Sequence, residues 1–213
     1  MPRLFIATFL SDQEQARFAA LPADNEHLEP EWQRKPRWIK PNKLHITWFF
    51  LGSVEASLVD QITTTLQKLI LQRSRGMANG EATFTLEFNK PEVWPSSFRP
   101  RLIAIANKPI SREAASLSYS IRTALIPFFT EETEQERNQE FKPHLTLLRL
   151  DRRDENPTDK LDFNSLTPKV DPKSIRKLPD YLPVKVPIEQ ICLVESQVSG
   201  HYYKILETVK LLP

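Results

Sequence analysis

Two stretches of the chain share one pattern of apolar and polar positions: Lys43-Leu44-His45-Ile46-Thr47-Trp48-Phe49-Phe50-Leu51-Gly52 and Lys142-Pro143-His144-Leu145-Thr146-Leu147-Leu148-Arg149. Successive side chains of a strand point to opposite faces. Each H-x-T therefore sets an imidazole and a hydroxyl side by side on one face, while Ile46 and Trp48, or Leu145 and Leu147, turn toward a core. Strands are expected over residues 43–51 and 142–149. A short apolar run opens each half, Arg3-Leu4-Phe5-Ile6-Ala7 and Arg101-Leu102-Ile103-Ala104-Ile105-Ala106, and the two openings are offset by nearly the same distance as the two histidines. The order strand, helix, H-x-T strand thus occurs twice, the mark of a repeated structural unit. Two lobes about a pseudo-two-fold axis would set His45 and His144 facing each other across a cleft.

The remaining pattern fills in around this frame. Ser11 and Glu14 have capping-box spacing, predicting a helix to about Leu21. From Pro22 to Pro36 the chain is polar and proline-rich and reads as a surface loop, and Gly52 suits a turn after the first H-x-T strand. Leu58, Ile62, Leu66, Leu69 and Ile70 recur at helical spacing, so Glu55 to about Arg73 reads as an amphipathic helix, followed by a turn between Gly76 and Gly80. Phe84, Leu86 and Phe88 alternate with Thr83, Thr85 and Glu87 as in a strand with one wet face. Asn89 to Pro100 reads as a loop, Leu102 to Ala106 as the second opening strand, and Ser111 as the cap of a helix with Ala114, Leu117, Ile121 and Leu125 on its buried stripe. Glu131 to Glu140 reads as a solvated connection and Asp151 to Pro187 as a long polar insertion. Strands at Ile188 to Glu195 and Tyr202 to Lys210, joined by a turn at Gly200, close the chain. With no linker in view, residues 1–213 are expected to form a single domain of two intertwined lobes, with 151–187 as a variable insertion.

Composition narrows the classes. A chain of 213 residues buries about 70% of its unfolded surface and needs no staple. The one cysteine, Cys192, lies in an apolar run and reads as a buried thiol, so no disulfide framework exists and a reducing cytoplasm is expected. Met1 to Ile6 lacks a signal-peptide core, and no apolar run nears the roughly 18 residues of a membrane span, so no membrane partner is expected. A net charge of +2 says little, but Arg34, Lys35, Arg37, Lys40 and Lys43 crowd the approach to His45, interleaved with Trp32 and Trp38. That cluster suits either a polyanion backbone or a solvated basic loop.

The chemistry follows from what is present. Four glycines supply neither a dinucleotide fingerprint nor a P-loop, and neither zinc-ligand spacing nor a carboxylate cluster accompanies either H-x-T, so no metal and no cofactor are expected. Cleaving a phosphodiester needs a base for the nucleophile and an acid for the leaving oxygen, and two opposed histidines can supply both near neutral pH. The hydroxyls of Thr47 and Thr146 would donate to the non-bridging phosphate oxygens, and the Arg149 guanidinium would steady the anion. His27 reads as a surface residue and His201 as structural. Phe5 and Phe9 read as core residues, with stacking on a nucleobase as the functional alternative.

The two motifs, with Arg149 ending the second, resemble those of the 2H phosphoesterases, and most of all the bacterial and archaeal RNA 2′,3′-cyclic phosphodiesterase (2′-5′ RNA ligase) family. The likeness spans the opening strand, Leu44 to Gly52, Arg99-Pro100-Arg101, and Glu195-Ser196 with Gly200, Tyr203 and Leu206. It implies a bilobal α+β fold with antiparallel sheets lining a central cleft and helices outside. It implies metal-independent hydrolysis of RNA 2′,3′-cyclic phosphate ends, tRNA-derived ends among them, to a 2′-phosphate by a monomeric cytoplasmic enzyme, with 2′-5′ ligation as the reverse reaction. It also implies His45 as proton donor and His144 as proton acceptor, with Thr47, Thr146 and Arg149 on the phosphate. Two alternatives stay open: an RNA-binding module without turnover, and a phosphodiesterase acting on a small cyclic nucleotide or an ADP-ribose cyclic phosphate.

Overall fold

Among the described residues ten strands form from the apolar runs, and pairing sorts them into three antiparallel sheets. The structure is a computed structural model describing residues 1–32, 35–76, 82–97, 100–128, 140–150, 170–197 and 202–211. The N-terminal half contains β1 (Arg3–Phe9), α1 (Asp12–Phe18), α2 (Leu21–Asp24), α3 (Leu28–Trp32), β2 (Pro36–Trp38), β3 (His45–Ser53), α4 (Val59–Gly76), β4 (Phe84–Phe88) and β5 (Lys90–Trp94). There follow β6 (Leu102–Ala106), α5 (Arg112–Leu125), β7 (His144–Leu150), β8 (Val184–Ile188), β9 (Gln190–Ser196) and β10 (Tyr203–Lys210). The strand orders are β10-β9-β1-β3, β2-β7-β6-β5 and β4-β8.

The duplication expected from the two H-x-T stretches appears as a shared backbone plan. β1 pairs with β3, and β6 with β7, in the same register relative to the histidines: Phe9 opposes His45 and Ala7 opposes Thr47, as Ala106 opposes His144 and Ala104 opposes Thr146. Each pair then carries a bulge at the residue after the threonine, Trp48 in β3 and Leu147 in β7. The extra residue lets Trp48 and Phe49, like Leu147 and Leu148, bury consecutively, so the next side chain, Phe50 or Arg149, swings back to the histidine face. Gly52 makes no turn. It sits inside β3 at φ 70°, opposite Leu4 at a second register shift, where positive φ suits glycine.

One hydrophobic cluster runs through both halves, with Ile6, Ile46 and Leu51 joined to Ile103, Leu145 and Leu148. α5 packs on β3, α4 on β10, and the helices on each other. The expected cap of α1 is present, with Ser11 and Glu14 each bonded to the other's backbone, and Ser111 caps α5 over the predicted buried stripe. Cys192 is buried, as read.

Three further readings are corrected. Pro22 to Pro36 is no surface loop: α2 and α3 form there because Leu21, Leu28 and Trp32, sparse in sequence, all bury almost completely. Trp32 alone makes this segment worth about 3–5 kcal/mol on the scale of buried Trp truncations. Asn89 to Pro100 contains β5, whose Pro91 is tolerated because β5 is an edge strand. The polar insertion of 151–187 is over by Val170: Val170, Ile175, Leu178, Val184 and Val186 join the core, a short helix spans Leu178–Tyr181, and β8 alternates against β4. Residues 151–169, the connection read from Glu131 onward as far as residue 139, the turn residues 77–81, Arg34, Gly200 and His201 lie outside the described residues.

Candidate active site

The two H-x-T strands touch each other across the pseudo-two-fold. His45 and His144 are held identically. In each, Nδ1 lies 2.7 Å from the carbonyl oxygen two residues upstream, of Lys43 or Lys142. That carbonyl can only accept, so Nδ1 is the donor, the tautomer is fixed, and Nε2 is left for chemistry. Thr47 and Thr146 follow on the same half-buried face as their histidines.

Proton affinity differs between the rings. Burial lowers His45 to about 4; the Lys43 carbonyl works against this, while the charges of His144 and Arg149 add to it. His144 is also lowered, by burial first and then by Arg149, against the raising effect of the Lys142 carbonyl. Arg149 thus senses both imidazoles, as a cation at the cleft would. The structure therefore brings together all five residues singled out in the sequence.

The two walls of the site are unlike. Around His45 stand the rings of Phe5, Phe9 and Tyr203, with centroids 5.4, 5.5 and 5.3 Å away, Tyr203 edge-on. Phe5 and Ala7 with Cys192 and Val194 form a small second cluster, packed by Phe9 and Tyr203, apart from the main core. Phe5 is buried and packs as read, whereas Phe50, 5.7 Å from Phe5, is 49% exposed. Lys43 rests its ammonium 5.6 and 5.4 Å from the Tyr202 and Tyr203 rings. Beside His144 the facing strand carries Ala104 and Ala106, and the Trp94 ring approaches to 4.3 Å. Trp94 Nε1 donates to Glu92 (3.0 Å), which also accepts from Lys108 (2.5 Å) and pairs with Lys90 (3.3 Å). Burial would raise the Glu92 carboxyl, but these hydrogen bonds outweigh it and hold it below the usual range.

Sequence reasoning gave no site role to Phe50, Trp94, Glu92 or Tyr203, although Phe50 and Tyr203 lie in the segments that carry the resemblance. Phe50 had a signal: superposing the two stretches on their histidines sets it opposite Arg149. The other three reach the site by long-range pairing, which leaves no local trace. The basic cluster divides: Trp32 is core, Trp38 packs against it, Lys35, Arg37 and Lys40 are exposed, and Lys43 joins the tyrosines. His27 is half-buried, with Nε2 3.2 Å from the Ser174 carbonyl, a structural setting. Among the described residues no group of three His, Cys, Asp or Glu side chains could hold a metal ion, and no helix is long and apolar enough to cross a membrane.

The AKAP7 2′5′ RNA ligase-like domain family matches residues 26–211 of the chain. Among solved structures the chain is similar to TT0787 of Thermus thermophilus, at 22% identity and TM-score 0.68 over 98% of this chain and 97% of that one. It is similar to E. coli LigT in apo form, at 21% and 0.59 over 100% and 99%. It is also similar to Usb1 of Kluyveromyces marxianus, at 11% and 0.57 over 98% of each chain. No curated protein matches it. At these identities the solved structures establish the fold, α+β with antiparallel sheets.

Proposed function

Since the chain belongs to the AKAP7 2′5′ RNA ligase-like domain family, within the 2H phosphoesterase superfamily, we propose that it hydrolyses 2′,3′-cyclic phosphate ends of RNA to 2′-phosphates. The observation that carries this reading is the matched pair of imidazoles, each fixed through Nδ1 with Nε2 left for chemistry, on neighbouring strands of two like halves.

In this mechanism Thr47, Thr146 and Arg149 hold the non-bridging oxygens, where charge concentrates in the transition state. His144 Nε2 takes a proton from water as its oxygen bonds to phosphorus. The bond from phosphorus to O3′ breaks, and His45 Nε2 protonates O3′. The 2′-phosphate remains, and proton exchange with solvent resets both rings. His45 suits the acid: its depressed affinity makes it a strong donor once the bound anion has loaded it, whereas the base must keep the proton it takes. Run backwards, the same steps join ends through a 2′-5′ linkage. Exposed Phe50, on the histidine face, gives the terminal base an apolar surface.

The test is a short RNA ending in a 2′,3′-cyclic phosphate, incubated in EDTA. The expected product is a 2′-phosphate end at a rate that chelation does not alter. A 3′-phosphate would exchange the leaving oxygen and redraw the acid and base; RNA binding without any cleavage would make the protein a binding module; cleavage of a small cyclic nucleotide in preference to RNA would change the substrate class.

A further inference from the structure

The two histidines are tethered alike, but their tethers are supported differently. The Lys43 carbonyl belongs to a 3-10 turn, Pro41–Lys43, closed by Lys43 N–H on the Lys40 carbonyl and Leu44 N–H on that of Pro41. Leu10 N–H, just past β1, donates to the Leu44 carbonyl (3.1 Å) and fixes that turn within its own half. Residues 141–143, which carry the Lys142 carbonyl, form no such turn. Glu140 and Lys142 are exposed, and their pairing at 3.4 Å holds little. This backbone is fixed from within instead. Asn107 N–H donates to the Pro143 carbonyl (3.1 Å), and the half-buried Phe141 ring stacks on the Trp48 indole, with centroids 5.5 Å apart and planes 17° apart.

Trp48 comes from the other half. It follows Thr47 in β3, sits at the bulge and is 3% exposed. Its Nε1 donates to the buried Thr8 hydroxyl (2.9 Å), which donates in turn to the Gln190 carbonyl (2.7 Å), so the indole cannot turn without unpairing a buried N–H. Superposing the two H-x-T stretches on their histidines sets Leu147 against Trp48 and Asn42 against Phe141. Leu147 fills its own place at 2% exposure, so burial at this position needs no tethered indole. The aromatic pair has no aromatic counterpart in the first half, where the 3-10 turn supports the tether.

We propose that Trp48 and Phe141 are positioning residues for His144: their stack, made between the two halves, pins residues 141–143 so that the Lys142 carbonyl holds Nδ1 of His144 and leaves Nε2 for chemistry. The residue after Thr47 in one motif thus sets the ring of the other motif. Its effect on rate rests on the phosphodiesterase reading; its effect on the ring does not.

The experiment reads the rings directly, by 15N NMR of histidine-labelled protein at neutral pH, where each neutral imidazole shows which nitrogen holds its proton. Signals are assigned from His45→Gln and His144→Gln. Wild type is expected to show Nδ1–H at both rings. Phe141→Leu is expected to mix the two tautomers at His144 alone, and to lower its titration midpoint, because the Lys142 carbonyl raises it. Trp48→Leu should do the same from the other side, while Phe141→Tyr, which keeps the ring, should resemble wild type. Phe84→Leu removes a different ring against Trp48, edge-on at 6.3 Å, and should leave both imidazoles as they were. On a cyclic-phosphate RNA, Phe141→Leu is expected to lower kcat by about tenfold with KM unchanged, as a misoriented base does. A folded Phe141→Leu protein whose His144 keeps its tautomer overturns the proposal, and so does one in which both imidazoles change alike. If Trp48→Leu fails to fold, Phe141→Leu decides alone. If wild type cleaves no RNA, the phosphodiesterase reading fails by itself, and the tautomers still decide the positioning.

Discussion

On the cleft side, β1 carries Phe5, Ala7 and Phe9 where β6 carries Leu102, Ala104 and Ala106, and β3 carries Phe50 where β7 carries Arg149. The backbone beneath is the same to the level of the bulge after each threonine. Duplication therefore explains the equivalent imidazoles, and divergence explains why they need not act alike. One wall is aromatic and closes over its histidine, pushing it down to about 4. The other is built of small side chains beside an arginine and a Trp94–Glu92–Lys108 network. A cleft with two like walls would bind a phosphate in two equivalent orientations. On the proposed reading, unlike walls give the substrate a direction, its apolar parts toward the first half and its anionic parts toward the second.

The strongest way to break the comparison is to remove either imidazole. His45→Ala and His144→Ala are each expected to lower kcat by about 10³-fold or more with little change in fold, since general acid and base steps contribute on that scale. Their double variant is expected to be barely worse than the singles, because both act in one step. A single-turnover assay on a cyclic-phosphate RNA reads all three. Retention of rate within tenfold in either single variant would show that the two halves are not a catalytic pair.

Arg149 and Phe50 test the divergence itself. Arg149→Gln is expected to cost about 10²-fold in kcat/KM, as loss of a preorganised donor to the transition state does. Phe50→Leu is expected to cost about tenfold or less, mostly in KM, as loss of one stacking face does. Equal losses would mean that the walls, though unlike in composition, are alike in role.

How far these features could be read from sequence depends on how local they are. The H-x-T strands, the capped helices α1 and α5 and the five site residues are set by neighbours within a few positions, where period and spacing speak. β2 and β5 were not legible: one is three residues long and leaves its own lobe, the other holds Pro91, which only an edge position excuses. Val170 to Ile188 was hidden by its prolines and lysines, although every second side chain of β8 is buried. Trp94 and Tyr203 reach the histidines from strands far away in sequence, so no window around either motif contains them.

Trp94 sharpens the comparison from the second wall. An indole 4.3 Å from His144, fixed through Nε1 by Glu92, restricts the ring proposed to act as base. Trp94→Leu is expected to lower kcat by about tenfold, because a loosened base loses orientation; Glu92→Gln, which keeps the indole and weakens its anchor, by about threefold. The same substitutions should leave KM nearly unchanged, and a change confined to KM would assign Trp94 to substrate contact instead.

The smallest expected effect is the most specific to the two walls, and its sign follows from the two imidazoles. The reaction needs one ring protonated and the other neutral, so kcat/KM is bell-shaped, with limbs set by the free protein's two proton affinities. Both lie below the usual value of about 6.5, so the optimum of kcat/KM is expected on the acid side of pH 6.5. A bound phosphodiester is an anion that favours both imidazolium forms, so the kcat profile should lie to the alkaline side of the kcat/KM profile. Arg149 lowers both rings, so Arg149→Gln should move the surviving kcat/KM profile toward higher pH, by less than about one unit for a single charge in a partly solvated cleft. The folded state obeys the same sign: between about 6.5 and 4 the unfolded chain binds a proton at His45 that the native ring refuses, so stability falls as pH drops through that window. His45→Gln should flatten that fall in a thermal-melting series, and a fall of equal depth in the variant would trace it to other groups.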